Sequence, residues 1–315
     1  MLLSPTYLRT FGVVADRMAT LGWILLIVSS LVVLVVSVLV LVGVLRRGTR
    51  SFAPVERGAG GLRWIVIGGI VVPVVILVAA FVLTVTTQAA IASPATPPGL
   101  TVRVIGHQWW WEVQYLDPSP DRIATTANEI HIPVGRPVRF EVVAGDVIHS
   151  FWIPELAGKT DLIPGQRNVM WLEADHPGVY RGQCAEYCGM QHSKMAMSVV
   201  ADPPAVFGAW LARQRLPAAS PSDPDMVAGE AVFTTSACAL CHTIRGTPAG
   251  GRVGPDLTHL ASRRMIAAGT LPNTRGYLAG WIANPQALKP GNVMPAVPLK
   301  PTELQVLITY LQSLN

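Results

Sequence analysis

Two stretches of this chain run for 25 residues each without a charge, Leu21 to Leu45 and Trp64 to Gln88. No other feature restricts the fold as severely. A helix of that length is about 37 Å long, enough to cross the roughly 30 Å hydrocarbon core of a bilayer with some tilt. The buried helix of a soluble domain is shorter and less uniformly apolar. A cleaved signal peptide is also shorter and ends in a small-residue cleavage site, which the first run lacks. Pro73 interrupts the second run and is expected to kink it, as bundled membrane helices tolerate.

The connector between the runs holds Arg46, Arg47, Arg50, Arg57 and Arg63 against Glu56 alone. Short arginine-rich loops stay in the cytoplasm. Both termini are therefore expected outside, on the periplasmic or extracytoplasmic face of a bacterial cell membrane. The net charge of +5 is unevenly placed. Residues 1–99 carry +5, residues 100–202 carry −4, residues 203–221 carry +2 and residues 222–315 carry +2. The basic balance thus belongs to the membrane-proximal part and is no argument for nucleic acid.

Beyond a Pro-rich lead-out at residues 91–99 the pattern changes. Residues 100–202 read as short β-rich runs, among them Thr101–Ile105, Trp109–Tyr115 and Val138–Val143, with turns such as Asp117-Pro-Ser-Pro120 between them. Such spacing predicts an antiparallel sandwich or barrel. Residues 203–224, with a short helix near 205–215, read as a linker. Residues 225–315 read as helical at both ends, Met226–Thr235 and Thr302–Leu314, the latter with Leu304, Leu307, Ile308 and Leu311 on one face. The expected architecture is a membrane protein: a two-helix hairpin in residues 1–99 (helices about 21–45 and 64–88), an all-β domain, a linker and an all-α domain.

The chemistry concentrates in Cys184-Ala-Glu-Tyr-Cys188-Gly-Met-Gln-His192-Ser-Lys-Met195. Two thiols, an imidazole and a thioether in one loop suit copper, and a weak axial methionine marks electron-transfer copper sites. A second imidazole is available in Asp146-Val-Ile-His149-Ser-Phe-Trp152. These blocks resemble the binuclear copper (CuA) loop of cytochrome c oxidase subunit II. The resemblance implies a cupredoxin-like fold for residues 100–202. It also implies bridging by Cys184 and Cys188, one copper each for His149 and His192, and weak axial ligation by Met195 and the Glu186 carbonyl. In that family the matching glutamate side chain also reaches a magnesium ion shared with subunit I, so Glu186 is expected to do the same.

Cys238-Ala-Leu-Cys241-His242 is a C-x-x-C-H haem-attachment motif. Cys238 and Cys241 would form the thioethers and His242 the proximal ligand. Asn292-Val-Met294-Pro resembles the loop that supplies the sixth ligand in class I cytochromes c; Met265 is the rival and reads as helix packing. Gly254-Pro-Asp-Leu257 resembles the haem-edge loop, and Gly229 and Phe233 with Tyr310 resemble the helix-crossing contact. Copper loop and haem motif together resemble the caa-type oxidases, whose subunit II carries a fused cytochrome c. A zinc reading of the four cysteines fails on spacing, because C-x₃-C and C-x₂-C-H lie in segments of different character. With two thiols assigned to copper and two to haem, none remains for a disulfide.

Gly106-His-Gln-Trp-Trp-Trp-Glu112 is the last unusual run. Strand alternation would put Trp109 and Trp111 on one face and Trp110 on the other. The family's first aromatic at this place accepts electrons from cytochrome c, which points to Trp109. His107, His131, His176 and His259 are read as structural. The resemblance thus implies a relay: cytochrome c or another external donor to haem c, to CuA, to haem a in subunit I, where oxygen is reduced to water. A membrane-tethered copper-binding or copper-delivery protein is the alternative of a different class, but it needs neither haem nor a tryptophan run. A quinol oxidase subunit II would lack the copper ligands, and nitrous oxide reductase needs a propeller for which the chain has no room.

Overall fold

The computed structural model of the chain describes residues 9–46 and 59–315. Arg47, Arg50 and Arg57 of the connector lie outside the described residues. Two compact units are present: residues 16–93, and the described residues before 16 together with 94–315.

The first unit holds α1 (Val13–Arg46) from Asp16 onward, α2 (Ala59–Val66) and α3 (Val72–Ile91). Two helical segments, Val13–Arg46 and Gly61–Ile91, contain 18-residue stretches of mean hydropathy 3.3 and 3.1 and are long enough to span a bilayer. Their leucines, isoleucines and valines are exposed along nearly the whole length. Thr84 and Thr86 turn their hydroxyls onto the carbonyls of Ala80 and Val82, so neither is left unsatisfied on an apolar helix. The expected effect of Pro73 takes the form of a widened π-helical turn over Ile67–Val71, in which Val72 N–H reaches Ile67 O. A proline ring collides with the carbonyl four residues back and offers no N–H, and the wider turn removes that clash.

Among the described residues, the β region of the second unit is a pair of five-stranded sheets. Its strands are β1 (Leu100–His107), β2 (Trp110–Tyr115), β3 (Ala124–Ala127), β4 (Glu129–Pro133), β5 (Val138–Ala144), β6 (His149–Trp152), β7 (Thr160–Leu162), β8 (Arg167–Leu172), β9 (Gly178–Cys184) and β10 (Ala196–Asp202). One sheet runs β3-β2-β1-β5-β8 and the other β4-β10-β9-β6-β7. It is a cupredoxin-like sandwich, yet not purely antiparallel: β1 pairs β5 and β4 pairs β10 in parallel. Connections that cross between sheets bring back strands in the same sense, which a pattern of short strands alone does not reveal. Alternate residues fill the core. Val102, Val104, Phe140, Val142, Ile130, Ile132 and Phe151 have no exposure, and each such side chain contributes roughly 1.5–3 kcal/mol by leaving water. The Phe140 and Phe151 rings stack 5.5 Å apart across the core.

The run of three tryptophans departs from the alternation expected of it. Trp109 lies in the turn before β2, and Trp110 and Trp111 are both buried, at 7% and 0% exposure. A turn residue does not follow a period of two, so the assignment of Trp109 and Trp111 to one face does not hold.

Residues 203–224 do not run free. They carry α4 (Pro204–Gln214), whose Trp210 stacks on His131 at 4.1 Å and meets Tyr115 edge-on at 5.2 Å. The segment after it is held from both sides. Arg215 donates to Asp117 at 2.9 Å, Arg245 donates to the Gln214 and Arg215 carbonyls, and Ala218 N–H donates to the Arg245 carbonyl.

The haem-motif region is helical, with α5 (Pro224–Thr235), α6 (Cys238–Cys241), a short hairpin of β11 (Met265–Ile266) and β12 (Leu271–Pro272), then α7 (Arg275–Ala283), α8 (Pro285–Leu288) and α9 (Pro301–Ser313). Asp223 caps α5 by accepting from Asp225 N–H at 2.8 Å, and Pro224 supplies the preset first turn. The expected crossing is present: a Cβ on Gly229 would stand 2.2 Å from Val306 O and 2.6 Å from Tyr310 Cβ, so only glycine lets α5 lie this close to α9. Met265 is on β11 rather than in a helix. Ala267, Ala268 and Gly269 all take positive φ, at 53°, 55° and 70°, which ends any helix at that point.

Candidate copper and haem sites

The copper-type donors converge where β6, β9 and the loop before β10 meet. Cys184, the last residue of β9, and His149, the first of β6, come from strands that pair in one sheet. A group of His149, Cys184 and Cys188 has ligand atoms within 4.8 Å of one another, all three residues buried. Cys184 Sγ is 3.7 Å from Cys188 Sγ, 3.9 Å from His149 Nδ1 and 3.2 Å from the Glu186 carbonyl. Cys188 Sγ is 3.6 Å from His192 Nδ1 and 3.8 Å from Met195 Sδ. All six expected copper donors are therefore adjacent. The loop is closed at its base by Cys184 N–H donating to Met195 O at 2.9 Å.

The electrostatics suit a cation. The Cys188 thiol hydrogen-bonds Cys184 and holds it as the thiolate, with its pKa lowered to about 3, while the same contact pushes Cys188 up. A soft cation held by both sulfurs would displace their protons. Burial acts to lower His149, but its hydrogen bonds to Cys184 and Asp146 outweigh that and raise it. Asp146 Oδ1 lies 2.8 Å from His149 Nε2, which leaves Nδ1 aimed at the sulfur. Burial acts to raise Asp146, but His149 and the N–H groups of Gln108 and Val147 together hold it below the ordinary carboxylate range. Asp146 stands three residues upstream of His149, a spacing that is the sequence signal for a carboxylate able to orient the ring. Gly106 makes room for the imidazole, since a Cβ there would stand 2.8 Å from His149 Cδ2.

Glu186 carries its carboxylate at the surface. It is 44% exposed and lies 3.8 Å from Lys159 Nζ.

The haem-type residues line a largely apolar cavity of about 250 Å³. Cys238, Cys241, His242 and Met294 all face it, and so does Met265. His242 Nδ1 lies 2.7 Å from the Pro255 carbonyl, which fixes the tautomer and leaves Nε2 as the acceptor. Burial pushes its pKa down, keeping the ring neutral as an iron ligand needs. Gly254 packs flat beneath the ring, where a Cβ would come within 2.6 Å of His242 Cε1. The donor types, tautomer and apolar walls fit a covalently held haem. Met294 sits on a braced loop: its N–H donates to Asn292 Oδ1 at 2.8 Å and its carbonyl accepts from Gln286 at 3.1 Å.

The sandwich supplies part of the same cavity wall through Trp109, Trp110 and Asn128. Trp109 Nε1–H donates to the Cys188 carbonyl at 3.0 Å, and Gln108 Nε2 donates to the same oxygen at 2.7 Å. Gly189, at φ +112°, admits the indole, since a Cβ there would stand 3.0 Å from Trp109 Cζ2. Sequence patterns gave no sign of Gln108, nor of the Lys194 and Lys289 contacts described below, because all three act on backbone carbonyls far away in the chain.

Comparisons with known proteins agree with this division. Residues 116–202 match the family described as cytochrome c oxidase subunit II, periplasmic domain, and residues 226–315 match the cytochrome c family. Cytochrome c oxidase subunit 2 of Alkalihalophilus pseudofirmus is 39% identical over 251 residues, covering 78% of this chain and 71% of the relative. The subunit 2 of Bacillus subtilis is 27% identical over 330 residues, covering 98% of this chain and 91% of that one. A solved structure of the periplasmic domain of subunit II of cytochrome oxidase from Bradyrhizobium japonicum is 28% identical, with a TM-score of 0.36, over 39% of this chain and 97% of its own.

Proposed function

This chain belongs to the cytochrome c oxidase subunit II family, and we propose that it is the subunit through which electrons reach a haem–copper terminal oxidase. Copper and haem c are the cofactors that its two domains imply, and they would supply one-electron carriers. The single observation that carries the reading is Trp109, which lines the haem-type cavity and also hydrogen-bonds the backbone of the copper-type ligand Cys188.

The residues divide the work as follows. Cys184 and Cys188 would bridge a binuclear centre, with His149 and His192 each binding one metal and Met195 and the Glu186 carbonyl as weak axial donors. Such sharing would spread one unit of charge over two metals. Asp146 orients His149. The buried walls around Met195 and Phe151, both at 0% exposure, keep water out and so limit the rearrangement that one electron causes. On the other side Cys238 and Cys241 would hold the porphyrin covalently, with His242 and Met294 as axial ligands. Met/His ligation raises the potential. Trp109 offers the short route between the two sites.

The outer reaches of the path follow the family. Leu240, Val253 and Val293 face the cavity and are 75%, 68% and 65% exposed, an apolar rim against which cytochrome c or another external donor would dock. The exposed Glu186 carboxylate is free to turn toward a magnesium ion shared with subunit I. Subunit I would take the electron onward to haem a and the oxygen-reducing site. Placement on the outer face of the membrane is supported by the arginine-rich connector and by chain connectivity. Phe11 and Ala15 hydrogen-bond to the Glu155 and Leu156 carbonyls, and residues 92–99 lead from α3 into β1, so the chain meets the sandwich before the first apolar run and after the second.

The test is metal and haem counts on the purified chain, followed by flash reduction of the haem. Two coppers and one covalent haem per chain are expected, with copper reduced at a rate independent of protein concentration. A chain holding a single copper, or one whose copper stays oxidised after the flash, would remove the relay.

A further inference from the structure

The loop bearing Met195 and the loop bearing Met294 are clasped to each other by two lysines. Lys194, next to Met195, donates from Nζ to the Leu288 carbonyl at 2.9 Å. Lys289, next to Leu288, donates back to the Lys194 carbonyl at 2.9 Å and to the Ala267 carbonyl at 3.1 Å. Thr270 Oγ1 reaches the same Lys194 carbonyl at 3.3 Å. On either side, Gln191 donates to the Pro290 carbonyl and Ala196 N–H donates to Ala268 O at 3.0 Å. Met190 lies so close to Gly291 that a Cβ there would stand 2.0 Å from its sulfur. Residues 190–196 of the copper-type loop thus meet backbone from residues 267–291 at nearly every turn.

Lys289 is the unusual member. It is 3% exposed and lines the haem-type cavity. Its partners are carbonyl oxygens, and among the described residues no carboxylate stands within ion-pair distance of it. Taking an ammonium out of water without a counter-charge is costly. A methionine would bury the same stem without that cost, so packing alone does not account for a lysine here. What the ammonium adds is two directional hydrogen bonds, one to each side of the interface, and a fixed positive charge beside the cavity.

We propose that the Lys194–Lys289 clasp is a positioning device for electron transfer: it locks the Met195 loop against the Met294 loop and places the Lys289 charge at the wall between them. The inference rests on the relay reading above. The step itself moves one electron, oxidising iron and reducing the copper pair; no bond forms or breaks and no proton must move. Lys194 and Lys289 act by holding the two loops in register, and the Lys289 charge disfavours the oxidised, more positive haem and so raises its potential.

The experiment uses the full chain, loaded with copper and haem, as wild type, Lys289→Met, Lys289→Arg and Lys194→Gln. Metal and haem counts and optical spectra come first, then the haem midpoint potential by redox titration, then the haem-to-copper rate after a flash. Lys289→Met should keep the counts and spectra of wild type, slow the transfer about ten- to a hundredfold and lower the haem potential. Lys289→Arg should keep the potential and restore part of the rate. A purely structural lysine would move neither the potential nor its rescue by arginine. Unchanged rate and potential in Lys289→Met overturn the clasp while leaving the relay intact. A wild-type chain without copper or haem overturns both. Where Lys289→Met loses haem, Lys194→Gln decides: slower transfer supports the clasp, and a wild-type rate overturns it.

Discussion

The Trp109 indole donates to the carbonyl of Cys188 at 3.0 Å, so one side chain touches the backbone of a copper-type ligand and the wall of the haem-type cavity at once. Trp110 shares that cavity wall, but its ring stacks on His107 at 4.6 Å. Trp109→Phe should slow haem-to-copper transfer by about tenfold or more, and Trp110→Phe by less. Time-resolved reduction of copper after flash reduction of haem checks this; equal rates in the two variants and wild type would take Trp109 off the path.

Asp146→Asn should weaken copper binding about ten- to a hundredfold and leave the haem content alone. The carboxylate holds His149 Nε2 and so aims Nδ1 at the copper-type site, whereas no haem-type residue depends on it. Copper retention against a graded chelator, read beside the haem absorbance, measures both. Loss of haem in parallel with copper would count against separate sites.

Met294→Ala should leave the haem covalently attached and open its sixth position. Cys238, Cys241 and the His242–Pro255 contact do not involve Met294. The variant should bind carbon monoxide where wild type does not, with a lower potential. Because Met265 faces the same cavity, Met265→Ala is the companion: carbon monoxide binding in that variant alone would move the axial ligand to Met265.

Stability should carry the signature of Lys289. Burial, with a smaller contribution from the Lys194 charge, pushes its pKa from 10.5 down to about 8. Below pH 8 the lysine is protonated both folded and unfolded, and the fold bears the full cost of the buried ammonium. Between about pH 8 and 10.5 the folded form has released the proton and the unfolded form has not, so stability rises with pH across that window. The rise should reach about 3 kcal/mol at most. Calorimetric melting of wild type against Lys289→Met, at pH 7.5 and 10, isolates it: wild type should gain on the variant at the higher pH, and a constant difference would refute the shift.

Much of the site was legible in the chain itself because its donors are local. Cys184, Cys188, His192 and Met195 fit in one loop, and Cys238, Cys241 and His242 fit in one turn, so residue types and spacing point to a soft metal and to haem, while the role of Glu186 is implied only by the family resemblance. Trp109 lies in the turn before β2, so the period of two that governs the strand does not say where its ring points. The contacts of the segment between the two domains escape the sequence for a related reason. Proline and serine in residues 216–224 mark a segment without its own regular structure, yet the Leu216 carbonyl meets His259 and Ala218 N–H donates to the Arg245 carbonyl, both partners distant in the chain.

The sequence by itself determined two membrane-length apolar helices, a β domain followed by a helical one, and the soft-metal and haem-type donor sets, because each depends on composition or on neighbours a few residues apart. Only the tertiary structure decided that His149 meets Cys184 from 35 residues away, that Trp109 joins the two sites, and that Lys194 and Lys289 clasp their loops. Those contacts are made to backbone carbonyls or across sheet pairings. A carbonyl is the same in every residue, so no side-chain pattern along the chain can say which one a distant donor will find.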